Sequence, residues 1–132
     1  MNAAHSNSAL APILLIEDEP AVSAFVRTAL ERRGYKVVQA STGAEGLKQL
    51  ASGTYGGVIS DIRMPGDVNG ADVHHWIKKN RPELGSRIIL ISGDTANSET
   101  QSLLSTSTTP CIEKPFRVQQ LISTVEKTFG KP

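Results

Sequence analysis

A chain of 132 residues fits one domain, long enough to bury a real core and too short for several. Its 39% hydrophobic and 20% charged residues exclude both an intrinsically disordered chain and a membrane-embedded one. Fourteen Lys and Arg against thirteen Asp and Glu leave a net charge of +1, so no global field recruits nucleic acid or an anionic membrane, and direct binding of either is not expected.

Cys111 is the single cysteine, which excludes an internal disulfide and a cysteine-based zinc cluster; a small core residue is the expectation for it. The first apolar run, Leu10 to Ile16, is too short to span a bilayer, has no basic residue before it and ends in acid, so neither a signal peptide nor an anchor is read. A cytoplasmic location is the resulting expectation.

Residues 1–11 are small and polar up to Leu10 and read as a flexible tail, with the domain expected over 12–130. Four short apolar runs, Ile13–Ile16, Val37–Val38, Val58–Ile59 and Ile88–Ile91, alternate with segments of helical period, and a fifth strand is expected at Pro110–Glu113. The first helix offers a stripe of Val22, Phe25, Val26, Ala29 and Leu30, with Pro20 suited to its first turn and Gly34 to its end. Thr42 to Glu45 reads as a capping box for a second helix carrying Leu47, Leu50 and Ala51 inward. A third presents Val73, Trp76 and Ile77; its neighbouring His74 and His75 cannot face the same way and read as exposed polar positions, not as a metal site. Residues 94–109 are mostly Ser, Thr, Asn and acid with Leu103 and Leu104 as anchors, so a short or mobile fourth helix is expected. The last helix presents Val118, Leu121, Ile122, Val125 and Phe129. Apolar strands alternating with helices imply a parallel α/β sheet covered on both faces, with its chemistry at the carboxyl ends of the strands.

Glu17-Asp18-Glu19 follows the first strand, Asp61 the third, Ser92 the fourth and Lys114 the fifth. Carboxylates gathered in one crevice repel each other, and oxygen donors suit a hard cation, so a site for Mg²⁺, or alternatively Mn²⁺, is expected. Lys114 supplies a flexible point charge for a phosphate oxygen and Ser92 a hydroxyl donor. No base is needed to phosphorylate an ionised carboxylate; charge neutralisation and alignment suffice.

Four segments in order, Ile-Glu17-Asp18-Glu-Pro, Ser-Asp61-Ile-Arg-Met-Pro65-Gly, Ile-Leu-Ile-Ser92-Gly and Glu-Lys114-Pro115-Phe, resemble the receiver domains of response regulators and hybrid histidine kinases over about Pro12 to Phe129. The resemblance implies a doubly wound, CheY-like or flavodoxin-like three-layer sandwich with strand order 2-1-3-4-5. It implies phosphoryl transfer to Asp61 from a phosphohistidine on a histidine kinase or histidine phosphotransfer protein. It further implies Asp18 as direct metal ligand, Glu17 as a mostly water-mediated one, the backbone carbonyl of Arg63 as another, and Lys114 with Ser92 as the groups holding the phosphoryl. A cis Lys114–Pro115 bond is part of the pattern. By the same geometry Arg63 and Asp94, each two residues past a site residue, border the path of attacking water. The departures are Glu17 where an aspartate is more usual, a loop from Met64 to Gly70 one residue longer than common, and Cys111 where many members carry a Tyr or Phe that rotates on phosphorylation.

Other classes fit less well. A flavodoxin-like nucleotide binder needs a Gly- and hydroxyl-rich loop after the first strand, where this chain has acid. A haloacid-dehalogenase-type hydrolase needs an aspartate two residues after its nucleophile, where this chain has Pro20 or Arg63. A receiver-shaped interaction module that takes no phosphate is the remaining alternative, and it leaves the presence of Asp61, Ser92 and Lys114 unexplained.

Overall fold

The computed structural model describes residues 11–64, 66–93, 98–105 and 108–132. The tail up to Leu10, Pro65 of the third-strand motif and Asp94 of the expected water-facing pair lie outside these residues. Five strands, β1 (Ile13–Ile16), β2 (Val37–Ala40), β3 (Gly57–Asp61), β4 (Ile88–Ser92) and β5 (Cys111–Glu113), alternate with helices α1 (Pro20–Arg32), α2 (Gly43–Ser52), α3 (Gly70–Asn80), α4 (Ser98–Ser105) and α5 (Val118–Phe129). A short 3₁₀ turn, Pro82–Leu84, precedes β4. No helix among the described residues is long and apolar enough to cross a membrane.

All pairings are parallel, in the order β2-β1-β3-β4-β5. Because successive side chains of a strand point to opposite faces, each buried strand feeds two cores. Ile13, Leu15, Ile59, Ile89, Ile91 and Ile112 pack with α1 and α5. Leu14, Ile16, Val58, Ile88 and Leu90 pack with α2 and α3 through Leu50, Val73 and Ile77. Full burial of each such side chain contributes roughly 1.5–3 kcal/mol, which is why these strands read as unbroken apolar runs.

Local chemistry sets the helix ends. Pro20 starts α1, where its missing N–H costs nothing, and Gly34 follows the end at φ +96°, a left-handed position that favours glycine. The Thr42 hydroxyl accepts from Glu45 N at 3.0 Å, but Glu45 reaches back to Ser41 N at 2.7 Å, one residue before the position a reciprocal capping box requires. The complete capping box belongs to α3, between Asn69 and Asp72.

Several side chains expected inside lie elsewhere. Phe25 is 43% exposed and meets Phe116 with ring centroids 5.9 Å apart; Val118 at the start of α5 is exposed too. Ala51 is exposed, and α2 approaches the sheet through Gly43 and Gly46 instead. A Cβ on Gly46 would overlap the Ile16 side chain, so the missing side chain permits the close approach. Trp76 is half-buried. His74, expected at the surface, is buried and its Nε2 lies 2.8 Å from Thr109 Oγ1, because the segment before β5 covers that part of α3. Helix α4 is short, eight residues, with Leu103 and Leu104 half-buried. Cys111 is half-buried against the α2/α3 core.

Candidate phosphoacceptor and metal site

In a sheet of this order the direction in which strands are added reverses between β1 and β3, which opens a crevice at their carboxyl ends. Glu17 follows β1 there, Asp61 ends β3, Ser92 ends β4 and Lys114 follows β5. The register carries this convergence: Ile16 lies opposite Ser60, Asp61 opposite Ile91, and Ser92 opposite Glu113. Lys114 N donates to Ser92 O at 2.7 Å, locking the end of β5 to β4, and the Lys114–Pro115 bond is cis. Gly70 N donates to Ile62 O at 2.7 Å, and a Cβ on Gly70 would overlap the carbonyl of Asp61. The start of α3 therefore presses directly on the backbone of the site.

Asp61 and Ser92 are buried, and Glu17 is 2% exposed. The Lys114 ammonium donates to Asp61 Oδ2 at 2.8 Å and to Glu19 Oε1 at 2.9 Å. Its contacts to Glu17 are longer, 3.2 Å to Oε1 and 3.5 Å to Oε2. Glu17 Oε2 also accepts from Glu19 N at 3.1 Å. Glu17 Oε1 accepts no hydrogen bond although it is buried; its approach to Lys114 is an ion-pair contact without hydrogen-bond geometry.

Burial pushes the Glu17 carboxyl up to about 7 and the Asp61 charge adds to that, against the Glu19 amide and Lys114. For Lys114, burial works against the ammonium, but its hydrogen bonds to Asp61 and Glu19 and the charges of Asp61 and Glu17 prevail and hold it charged.

Three carboxylates around one ammonium leave excess negative charge in a crevice, and oxygens of Glu17, Glu19 and Asp61 lie within 4.8 Å of one another. With the orphaned Glu17 Oε1 among them, this donor set fits a hard divalent cation. Two of the expected metal residues, Glu17 and Asp61, are thus brought together. Glu19, expected in the acidic run after the first strand but not named among the metal ligands, joins them. The sequence signal was Pro20, which fixes Glu19 as the N-cap of α1 and so at the mouth of the site. Asp18 is half-buried beside the cluster, lining a groove with Arg27, Gln39 and Glu45; Arg63 is exposed.

An acidic pocket with an apical lysine, at the switch point of a 2-1-3-4-5 parallel sheet, defines a receiver-type signalling module. Residues 13–126 match the sequence profile described as "Response regulator receiver domain"; the chain belongs to that family. A CheY-like response regulator receiver domain protein from Methanospirillum hungatei superimposes with a TM-score of 0.80 at 26% identity, over 91% of this chain and 94% of that one. The response regulator TrrA from Thermotoga maritima, solved in complex with Mg²⁺–BeF, gives 0.76 at 34% identity, over 89% and 98%. The sensor kinase CckA of Brucella abortus is 32% identical over 126 residues, 94% of this chain and 13% of that protein. The transcriptional regulatory protein KdpE of Mycobacterium tuberculosis is 32% identical over 111 residues, 84% of this chain and 47% of that protein. The chain therefore spans less than half the length of these two relatives.

Proposed function

We propose that residues 12–130 form a phosphoacceptor receiver domain, which takes a phosphoryl group onto Asp61 from a phosphohistidine on a histidine kinase or histidine phosphotransfer protein. The observation that carries this reading is the Asp61–Lys114 pair, 2.8 Å apart, inside the acidic cluster. In the transfer, a carboxylate oxygen of Asp61 forms the new P–O bond as the P–N bond of the donor breaks. The electron pair returns to the imidazole nitrogen, which takes up a proton.

Asp61 needs no base because an ionised carboxylate is already a nucleophile. Lys114, already hydrogen-bonded to Asp61, is placed to neutralise a phosphoryl oxygen, and the buried Ser92 offers a hydroxyl. Mg²⁺, or Mn²⁺ in its place, would be held by Asp61 and Glu17 with Glu19 beside them, and Asp18 and the Arg63 carbonyl remain the further ligands that the family pattern assigns. When bound, the metal would shield the carboxylates from the incoming phosphoryl and neutralise its charge. The complex of TrrA with Mg²⁺–BeF supports this choice of cation. The acceptor would signal by a change of conformation, through the short α4 and without an aromatic at Cys111.

The test is incubation with a small phosphodonor and Mg²⁺, followed by intact-mass measurement. The wild type is expected to gain one phosphate and Asp61→Ala none. No gain by the wild type would leave only a receiver-shaped interaction module.

A further inference from the structure

Of the three carboxylates around Lys114, two are deep: the side chains of Glu17 and Asp61 are almost fully covered, whereas that of Glu19 is 58% exposed. Glu19 occupies the N-cap of α1, yet its carboxylate accepts no hydrogen bond from the first-turn amides, the usual role of an acidic N-cap. It is turned instead onto Lys114 at 2.9 Å. It also lines, with Lys114, Gly93 and Phe116, an open cleft beside the site. A phosphoryl group arriving through that cleft needs the same ammonium and meets the Glu19 charge first.

We propose that Glu19 is a donor-discriminating residue: as the resting counter-ion of Lys114 at the mouth, it slows phosphorylation by free small donors in proportion to their negative charge. The inference rests on the phosphoacceptor reading above. With acetyl phosphate, the Asp61 oxygen forms its bond to phosphorus as the P–O bond to the acetyl group breaks, and acetate leaves with the electron pair. With phosphoramidate the P–N bond breaks, and the already protonated nitrogen leaves with the pair as ammonia. Acetyl phosphate arrives as a dianion and phosphoramidate as a zwitterion of one net negative charge. Unit charges roughly 6 Å apart in a water-exposed mouth change a rate about threefold per unit of donor charge. The gain on removing the Glu19 charge is thus about tenfold for acetyl phosphate and about threefold for phosphoramidate at low salt, shrinking as salt rises toward about 1 M.

The experiment measures phosphorylation rate constants at low donor concentration and saturating Mg²⁺ for wild type, Glu19→Gln and Glu19→Asp, with both donors and at low and high salt, together with Mg²⁺ affinity. The expected result is faster phosphorylation of Glu19→Gln, with the larger gain for acetyl phosphate, a gain that fades in salt, and Glu19→Asp close to wild type. Equal gains for the two donors, or no gain, overturn the proposal. Slower reaction with both donors together with weaker Mg²⁺ binding also overturns it, making Glu19 a metal ligand first. Failure of the wild type to take phosphate from either donor sinks the phosphoacceptor reading itself, a result separate from an unchanged Glu19→Gln.

Discussion

Lys114, half-buried, and His74, buried, are both polar groups drawn into the fold, and they were unequally legible in the sequence. Lys114, like Asp61 and Ser92, could be placed because each follows or ends a strand, and strand ends of a parallel α/β sheet converge. His74 could not, because helical period marks the Val73 and Ile77 face but carries no information about which loop crosses the neighbouring position; the segment at Thr109 does. Burial first, then the charges of Lys78 and His75, hold the His74 imidazole below its usual range. The unfolded chain then takes up the proton before the folded one, so the contribution of this group to stability is complete above the unfolded value near 6.5. It is lost as pH falls from there through the folded value. The wild type is expected to lose urea midpoint more steeply between pH 7 and pH 5.5 than His74→Gln, which keeps a polar side chain without the titration. Parallel midpoints over that range would contradict it.

Among the elements, β1 and β4 were read closest to their true extent, since buried parallel strands are written in consecutive Ile, Leu and Val, whereas β2 and β3 run on past their apolar pairs to Ala40 and Asp61. Helix faces were read less well. The stripe of α1 that included Phe25 is wider than the surface the sheet covers, and α2 packs by the absence of side chains at Gly43 and Gly46, which apolar period cannot register. Helix α4 is short, eight residues, and of its described side chains Leu103 and Leu104 are only half-buried. By contrast, α5 buries Leu121, Ile122, Val125 and Phe129, and Arg87 Nη2 donates to the carbonyl of Phe129 at 2.7 Å. Local opening follows the number of buried apolar contacts. Amides in the last turn of α4 are therefore expected to exchange with deuterium at least about tenfold faster than those of Leu121 to Val125, a difference of about 1.4 kcal/mol in opening free energy. Comparable protection in the two helices would show that α4 is tied down as firmly as α5.

Over the whole molecule, alternation along each strand divides the interior into two cores that share no side chain. Ile91 belongs to the α1/α5 core and Ile77 to the α2/α3 core, whereas Ile91 and Ile112 are cross-strand partners within one core. Ile→Val at any of these positions is expected to cost about 0.5–1.5 kcal/mol. The costs of Ile91→Val and Ile77→Val should add to within about 0.5 kcal/mol, while Ile91→Val with Ile112→Val should depart from the sum by more than that. Denaturant unfolding of the single and double variants checks both, and strong coupling between Ile91 and Ile77 would refute the division. The sheet then works as a bulkhead: a packing defect admitted on one side stays in its own compartment. The row of carboxyl ends where Glu17, Asp61 and Lys114 sit is the rim of that wall, and each hull braces it independently of the other.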